Sequence, residues 1–171
     1  VHCLKYGLTL HNIVSLRAVD FEGNVLKFGS KGLDAAGLDL LSLMIGSEGM
    51  LGVVTEITVK LTPNPKVAKV IMASFETVES AADAVAGIIS KGVIPAGLEM
   101  MDQGMIGAVE DFVKAGYDTT AAAILLCESD GEAQEVEEEI AFMEEMLASY
   151  GASKCMVSQD DCQSALVWSG R

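Results

Sequence analysis

Three glycines spaced three apart, Gly46, Gly49 and Gly52, lie in the run Gly46-Ser47-Glu48-Gly49-Met50-Leu51-Gly52-Val53-Val54-Thr55 and strip its main chain of side-chain bulk. Glycine reaches positive φ at little cost, and the N–H groups exposed by a tight turn suit an anion such as a pyrophosphate. The spacing satisfies the bare pattern G-x-x-G-x-x-G. A strand follows these glycines, however, whereas the nicotinamide-dinucleotide fingerprint needs a strand before them and a helix after. A nicotinamide site is therefore disfavoured, and two readings stay open: a structural turn, and a loop that holds a ligand.

Other residues able to do chemistry are few. Arg171 offers a planar fork of donors to a carboxylate and stays charged at every working pH, although an arginine alone reads as a surface residue. Glu99, Asp102, Glu128 and Asp130 each fall where a strand ends or a helix begins, so capping is expected of them ahead of acid/base work. His2 and His11 have no partner at ligand spacing and are expected to be structural. Cys3, Cys127, Cys155 and Cys162 form no C-x-x-C pair, which points to reduced, mostly buried thiols and not to zinc or disulfides.

The elements that must position these residues follow from periodicity. Ile13 to Val19 and Gly23 to Phe28 read as a hairpin about Asp20-Phe21-Glu22-Gly23, with Glu22-Gly23-Asn24 supplying positive φ. After a loop at 32–37, Leu38 to Ile45 predicts a short buried helix stopped by Gly46. Val53 to Leu61 alternates with period two, the mark of a half-buried strand, and Thr62-Pro63-Asn64-Pro65 is the expected domain boundary. Strand and helix then alternate. Strands are expected at Val67–Phe75, Ile94–Met100, Ala121–Glu128 and Ser153–Val157. Helices are expected from Thr77 with Val78, Ala82, Val85 and Ile89 on one face, from Asp102 with Met105, Val109 and Phe112, from Asp130 to Tyr150, and after Asp160 or Asp161. Such an order leaves strand direction undecided, and by itself reads as α/β.

Three ordered motifs resemble the FAD-linked oxidases of the vanillyl-alcohol oxidase type. Gly46 to Val54 resembles their second flavin-contacting loop, Val1-His2-Cys3-Leu4-Lys5-Tyr6-Gly7-Leu8-Thr9 their other late flavin loop, and Ala165-Leu166-Val167-Trp168-Ser169-Gly170-Arg171 their Trp-x-x-Arg segment. Gly92 to Asp102 and Ala123 to Glu128 resemble more narrowly the glycolate-oxidising branch. The resemblance implies an α+β protein: residues 1–65 as the second half of the FAD-binding domain, and 66–171 as the first part of a substrate or cap domain with a mainly antiparallel sheet covered on one side by helices. It implies FAD contacts from Tyr6, Gly7 and Thr9 on one loop and from Glu48, Gly49, Leu51, Gly52, Val53 and Val54 on the other. Met50 stands where the wider family commonly has Thr. Arg171 would face the substrate carboxylate. The implied reaction is oxidation of a small 2-hydroxy acid, glycolate or D-lactate, by hydride transfer to flavin, and the implied partners are other oxidase subunits, an iron–sulfur subunit among them. The family's earlier pyrophosphate loop and later His-rich segment, with the catalytic base and any metal, have no counterpart here. The chain is thus expected to be a middle portion, without a catalytic residue of its own and with little FAD bound alone.

A net charge of −14 argues against nucleic acid, whose phosphates would be repelled. Half the residues are hydrophobic, yet no apolar run approaches a bilayer span, so an ordered cytoplasmic protein is expected, held at the inner membrane at most through partner subunits. The rival reading from another class is a non-catalytic α+β module, a sensor or a subunit contact built from residues 66–171.

Overall fold

The computed structural model describes residues 2–30, 32 and 37–170. The expected loop at 32–37 lies largely outside them, as do Val1 and Arg171. In chain order the elements are α1 (Cys3–Tyr6), α2 (Thr9–Asn12), β1 (Ile13–Val19), β2 (Val25–Gly29), α3 (Leu40–Met44), β3 (Val53–Val59), β4 (Val67–Phe75), α4 (Val78–Ser90), β5 (Gly97–Asp102), α5 (Gln103–Val113), β6 (Ala123–Gly131), α6 (Ala133–Ser149), β7 (Ala152–Val157) and α7 (Asp161–Trp168). They fall into two compact units, Gly7–Pro63, and Val1–Tyr6 with Asn64–Arg171.

In the smaller unit, β1 is the centre of an antiparallel sheet of order β2-β1-β3. The hairpin turn needs one positive φ, at Gly23, and not the three residues expected, because the Asp20 carboxylate accepts the N–H groups of Glu22 and Asn24 and fixes the turn. Leu16 and Ala18 point to one side and are buried with Met44 of α3. Asp39 caps α3 by accepting the Ser42 N–H at 3.0 Å. The half-buried character expected of β3 is not found: every residue from Val53 to Val59 is exposed, Val53 by 67% and Ile57 by 55%. The period-two signal gave the strand correctly, but a five-residue α3 is too short to cover it.

In the larger unit every neighbouring pair in the sheet β5-β6-β4-β7 is antiparallel. The crossovers β4-α4-β5 and β6-α6-β7 each pass over an intervening strand in a split βαβ arrangement, so alternation in sequence yields antiparallel neighbours in space. The fold is α+β. On one face Ile71, Ala73, Phe75, Leu125 and Cys127 pack on α4 and α6; on the other Val70, Met72, Ile124 and Leu126 pack on Ile106 of α5 and Val167 of α7. Helices therefore cover both faces, where the resemblance implied one.

Of the four carboxylates expected to cap, Asp102 does so, and the expected helix starts at Thr77 and at Asp160 or Asp161 are also met. Thr77, Asp102 and Asp160 each accept a backbone N–H three residues on, from Ser80, Met105 and Gln163. The buried face of α4 is Ala81, Ala84, Gly87 and Ile88 instead of the expected Val78, Ala82, Val85 and Ile89. Small residues let the helix approach closely, and Gly87 leaves the space that the Tyr150 ring fills, since a Cβ there would lie 2.4 Å from Tyr150 Cε2. In α5 the anchor is Ile106, while Met105 and Phe112 are 54% and 88% exposed. Asp130 does not cap α6: β6 runs on to Gly131 and the N-cap position is Glu132. Cys127 is buried, but Cys155 is only half-buried and Cys3 and Cys162 are exposed, against the expectation of mostly buried thiols.

Candidate functional site

The glycine run forms an exposed turn between α3 and β3. The Ser47 N–H donates to the Met44 carbonyl at 3.2 Å and the Met50 N–H to the Ser47 carbonyl at 2.8 Å. Gly46, Glu48 and Gly49 have φ of 82°, 52° and 81°, so the main chain turns through the left-handed region three times in four residues. A Cβ on Gly46 or Gly49 would meet nothing within 4 Å, whereas one on Gly52 would lie 2.9 Å from the Val19 carbonyl oxygen. The third glycine is thus needed for packing against β1, and the first two leave main chain open. Glu48 holds its left-handed conformation at a cost of roughly 1–2 kcal/mol for a residue with a Cβ, the kind of strain that gathers at ligand loops. Leu51, Val53 and Val54 continue the exposed surface.

Within the smaller unit, Gly7 and Leu8 lead through α2 into the other end of the same sheet. Gly7 has φ of 78° and Thr9 opens α2, which runs straight into β1. His11 Nδ1 accepts the Leu8 N–H at 3.3 Å and Asn12 donates to the Leu8 carbonyl at 3.0 Å, so both side chains shape the loop. Along β1, Ile13 pairs with Val59 and Val19 with Val53. Six residues at ~3.4 Å each put about 20 Å between the loop that precedes Ile13 and the one that precedes Val53. The two loops cannot hold one small group together; they suit the two ends of an elongated ligand. Bare left-handed main chain with open space beside it fits the anionic part of a dinucleotide such as FAD.

In the larger unit, Tyr6 is joined to residues that its sequence neighbourhood gives no hint of. Alternation along β6 puts Glu128 and Asp130 on the same face as Ile124 and Leu126, at the end of that row, and both are buried. The one-turn helix α1 lies there. Tyr6 OH donates to Asp130 Oδ2 at 2.7 Å; Lys5 Nζ donates to Asp130 Oδ1 at 2.7 Å and to the Asp130 carbonyl at 2.5 Å; His2 Nε2 stands 3.3 Å from Glu128 Oε2. Burial first, then the hydrogen bond to Asp130, pushes the Tyr6 phenol from 10.0 up to about 12. His2, Glu128, Ala165, Trp168 and Ser169 line a recess of about 370 Å³. Trp168 is the last residue of α7. Arg171, the expected carboxylate ligand, lies outside the described residues. Burial also drives the Cys127 thiol up to about 12, which leaves it protonated.

Glu128 and Asp130 are what sequence reasoning missed. Their spacing near a helix start suggested caps; their parity with the apolar row of β6 is the signal that places them under cover instead. Among the described residues no group of three or more His, Cys, Asp or Glu side chains could hold a metal ion, and no helix is long and apolar enough to cross a membrane.

An antiparallel sheet flanked by helices, joined to a smaller sheet that carries a bare glycine turn, defines an α+β protein with the architecture of the flavin-linked oxidases. Residues 64–171 match the family of FAD linked oxidases, C-terminal domain, and the chain belongs to that family. It is 51% identical over all 171 residues to glycolate oxidase subunit GlcD of Escherichia coli (strain K12), covering 34% of that protein. It is 31% identical over 174 residues to a probable mitochondrial D-lactate dehydrogenase of Danio rerio, which takes in 99% of this chain and 35% of the relative. Among solved structures, alkyldihydroxyacetonephosphate synthase superposes with a TM-score of 0.71 at 21% identity, over 99% of this chain and 33% of that one. The chain spans about a third of the length of the curated relatives it matches.

Proposed function

We propose that this chain is part of an FAD-dependent oxidoreductase that oxidises a small 2-hydroxy acid, glycolate or D-lactate. The observation that carries this reading is identity of 51% with a glycolate oxidase subunit over all 171 residues of the chain. On this reading residues 1–65 complete the FAD-binding domain and residues 66–171 begin the substrate or cap domain.

FAD, when bound, supplies the acceptor for the hydride leaving the α-carbon. The chain's own residues bind and orient. Gly49, Leu51, Gly52, Val53 and Val54 offer main chain from the glycine turn, and Tyr6, Gly7 and Thr9 do so from the other loop. The Glu48 carboxylate would be repelled by phosphate, so its part is to accept a hydrogen bond from a ribose hydroxyl or an N–H of its own loop. Arg171 takes the substrate carboxylate with its planar fork of donors. No residue of this chain is assigned the proton of the substrate hydroxyl. GlcD is named as a subunit, which supports assembly with further oxidase subunits. On this reading an iron–sulfur subunit is among them, and the protein works in the cytoplasm or at the inner membrane through those partners.

The chain alone is expected to carry little or no flavin. Extended at both ends, it is expected to bind FAD and to lose the flavin's visible absorption on adding glycolate or D-lactate without oxygen. An extended, folded polypeptide that binds no flavin would discard the enzymatic reading.

A further inference from the structure

Asp130 is a 4% exposed carboxylate whose two oxygens are taken up by different side chains of one helical turn. Lys5 and Tyr6 are consecutive, and both reach Asp130 because α1 ends over β6 with the Lys5 ammonium also on the Asp130 carbonyl oxygen. The Tyr6 N–H closes the turn on the His2 carbonyl at 3.0 Å, and His2 faces Glu128, two residues before Asp130 on the same strand. A one-turn helix has no stability of its own, so these side-chain contacts are what hold it. The exposed Lys66–Glu132 pair beside them, with both side chains more than 65% exposed, restrains nothing comparable.

We infer that Asp130 is a positioning residue for Tyr6 of the first cofactor loop: by holding the Lys5 ammonium and the Tyr6 hydroxyl together, it fixes where Tyr6 stands. This rests on the proposed flavin-binding function, in which Tyr6, Gly7 and Thr9 meet FAD. It also changes what Tyr6 can do. Its hydroxyl is committed to Asp130, so Tyr6 serves the cofactor through its ring and main chain.

Two measurements test the inference separately. In the 171-residue chain, Asp130→Asn and Lys5→Met are each expected to speed hydrogen exchange at the Tyr6 amide by about tenfold, the scale of a lost hydrogen bond to a charged group, while Glu132→Gln leaves it unchanged. Should Asp130→Asn fail to fold, Lys5→Met and Tyr6→Phe carry the same test from the exposed side of the contact. Exchange unaltered in those variants would overturn the anchor. In the extended flavoprotein, Asp130→Asn is expected to raise the FAD dissociation constant about tenfold and to change the bound flavin's spectrum, with KM for the 2-hydroxy acid moving by less than about twofold. Faster exchange with unaltered FAD affinity and spectrum would refute the positioning role and leave the anchor standing. A wild-type protein that binds no FAD would overturn the functional reading and the positioning role together, with the exchange result still deciding the anchor.

Discussion

At the scale of single residues, Tyr6 and Asp130 show a tyrosine and a carboxylate changing each other's chemistry across 124 residues of sequence. The folded state holds the Tyr6 phenol protonated, because its pKa is raised from 10.0 to about 12 there. Such a raised group contributes stability that is complete below pH 10 and is lost as pH rises through 12. Docking of α1 is therefore expected to weaken between pH 10 and 12, and ultraviolet titration at the phenolate band should show Tyr6 ionising above the ordinary range. Tyr6→Phe should reduce the late-ionising amplitude by one tyrosine. A late amplitude unchanged in the variant would mean that Tyr6 is not among the phenols responsible. Tyr117, also raised by burial, donates to the Val167 carbonyl in the larger unit and is the natural control.

At the scale of elements, glycines that share a positive φ are not equivalent. Gly29 ends β2 with φ of 78°, and a Cβ there would lie 2.3 Å from the Val14 carbonyl oxygen and 3.0 Å from Ser15 Cα, both backbone atoms of the neighbouring strand. Gly49 has the same φ to within a few degrees and open space. Gly29→Ala is expected to destabilise the smaller unit by roughly 3 kcal/mol or more, through strain plus the clash, and Gly49→Ala by only ~1–2 kcal/mol. Urea titrations of the two variants check the ranking, and equal midpoints would contradict it. The same contrast explains why the glycine run was readable as a pattern but not as a set of roles: its spacing is visible in sequence, whereas the neighbour that each missing Cβ would strike comes from another strand.

At the scale of the whole molecule, the two units differ in what holds them. Both apolar clusters of the larger unit are drawn wholly from residues between Val67 and Trp168, while the smaller unit buries Leu16, Ala18 and Met44. A chain of residues 64–171 is expected to melt cooperatively, and one of residues 7–63 to show no cooperative transition by circular dichroism, since so small a core cannot offset the ordering of its chain. Residues 64–171 lack Lys5 and Tyr6, so in that piece the Asp130 carboxylate has neither of these partners. Asp130→Asn is therefore expected to destabilise the full chain, where it breaks a buried charge pair on one side, and to leave residues 64–171 little changed, since the pair is absent there. Destabilisation in both would mean that Asp130 has other work in the fold.

What the sequence determined by itself is everything governed by neighbours within about four residues. The strands of the larger unit, its long acidic helix and the caps at Thr77, Asp102 and Asp160 were all legible, because each depends on local periodicity or on a side chain meeting an N–H three residues away. The glycine turn was legible too, as a pattern. Tertiary structure alone decided that alternating strands and helices make antiparallel neighbours, that α4 buries its alanines, that β3 lies bare, and that Asp130 is an anchor instead of a cap. These outcomes depend on partners brought together from tens to more than a hundred residues apart, and no local preference of the chain encodes which partner arrives.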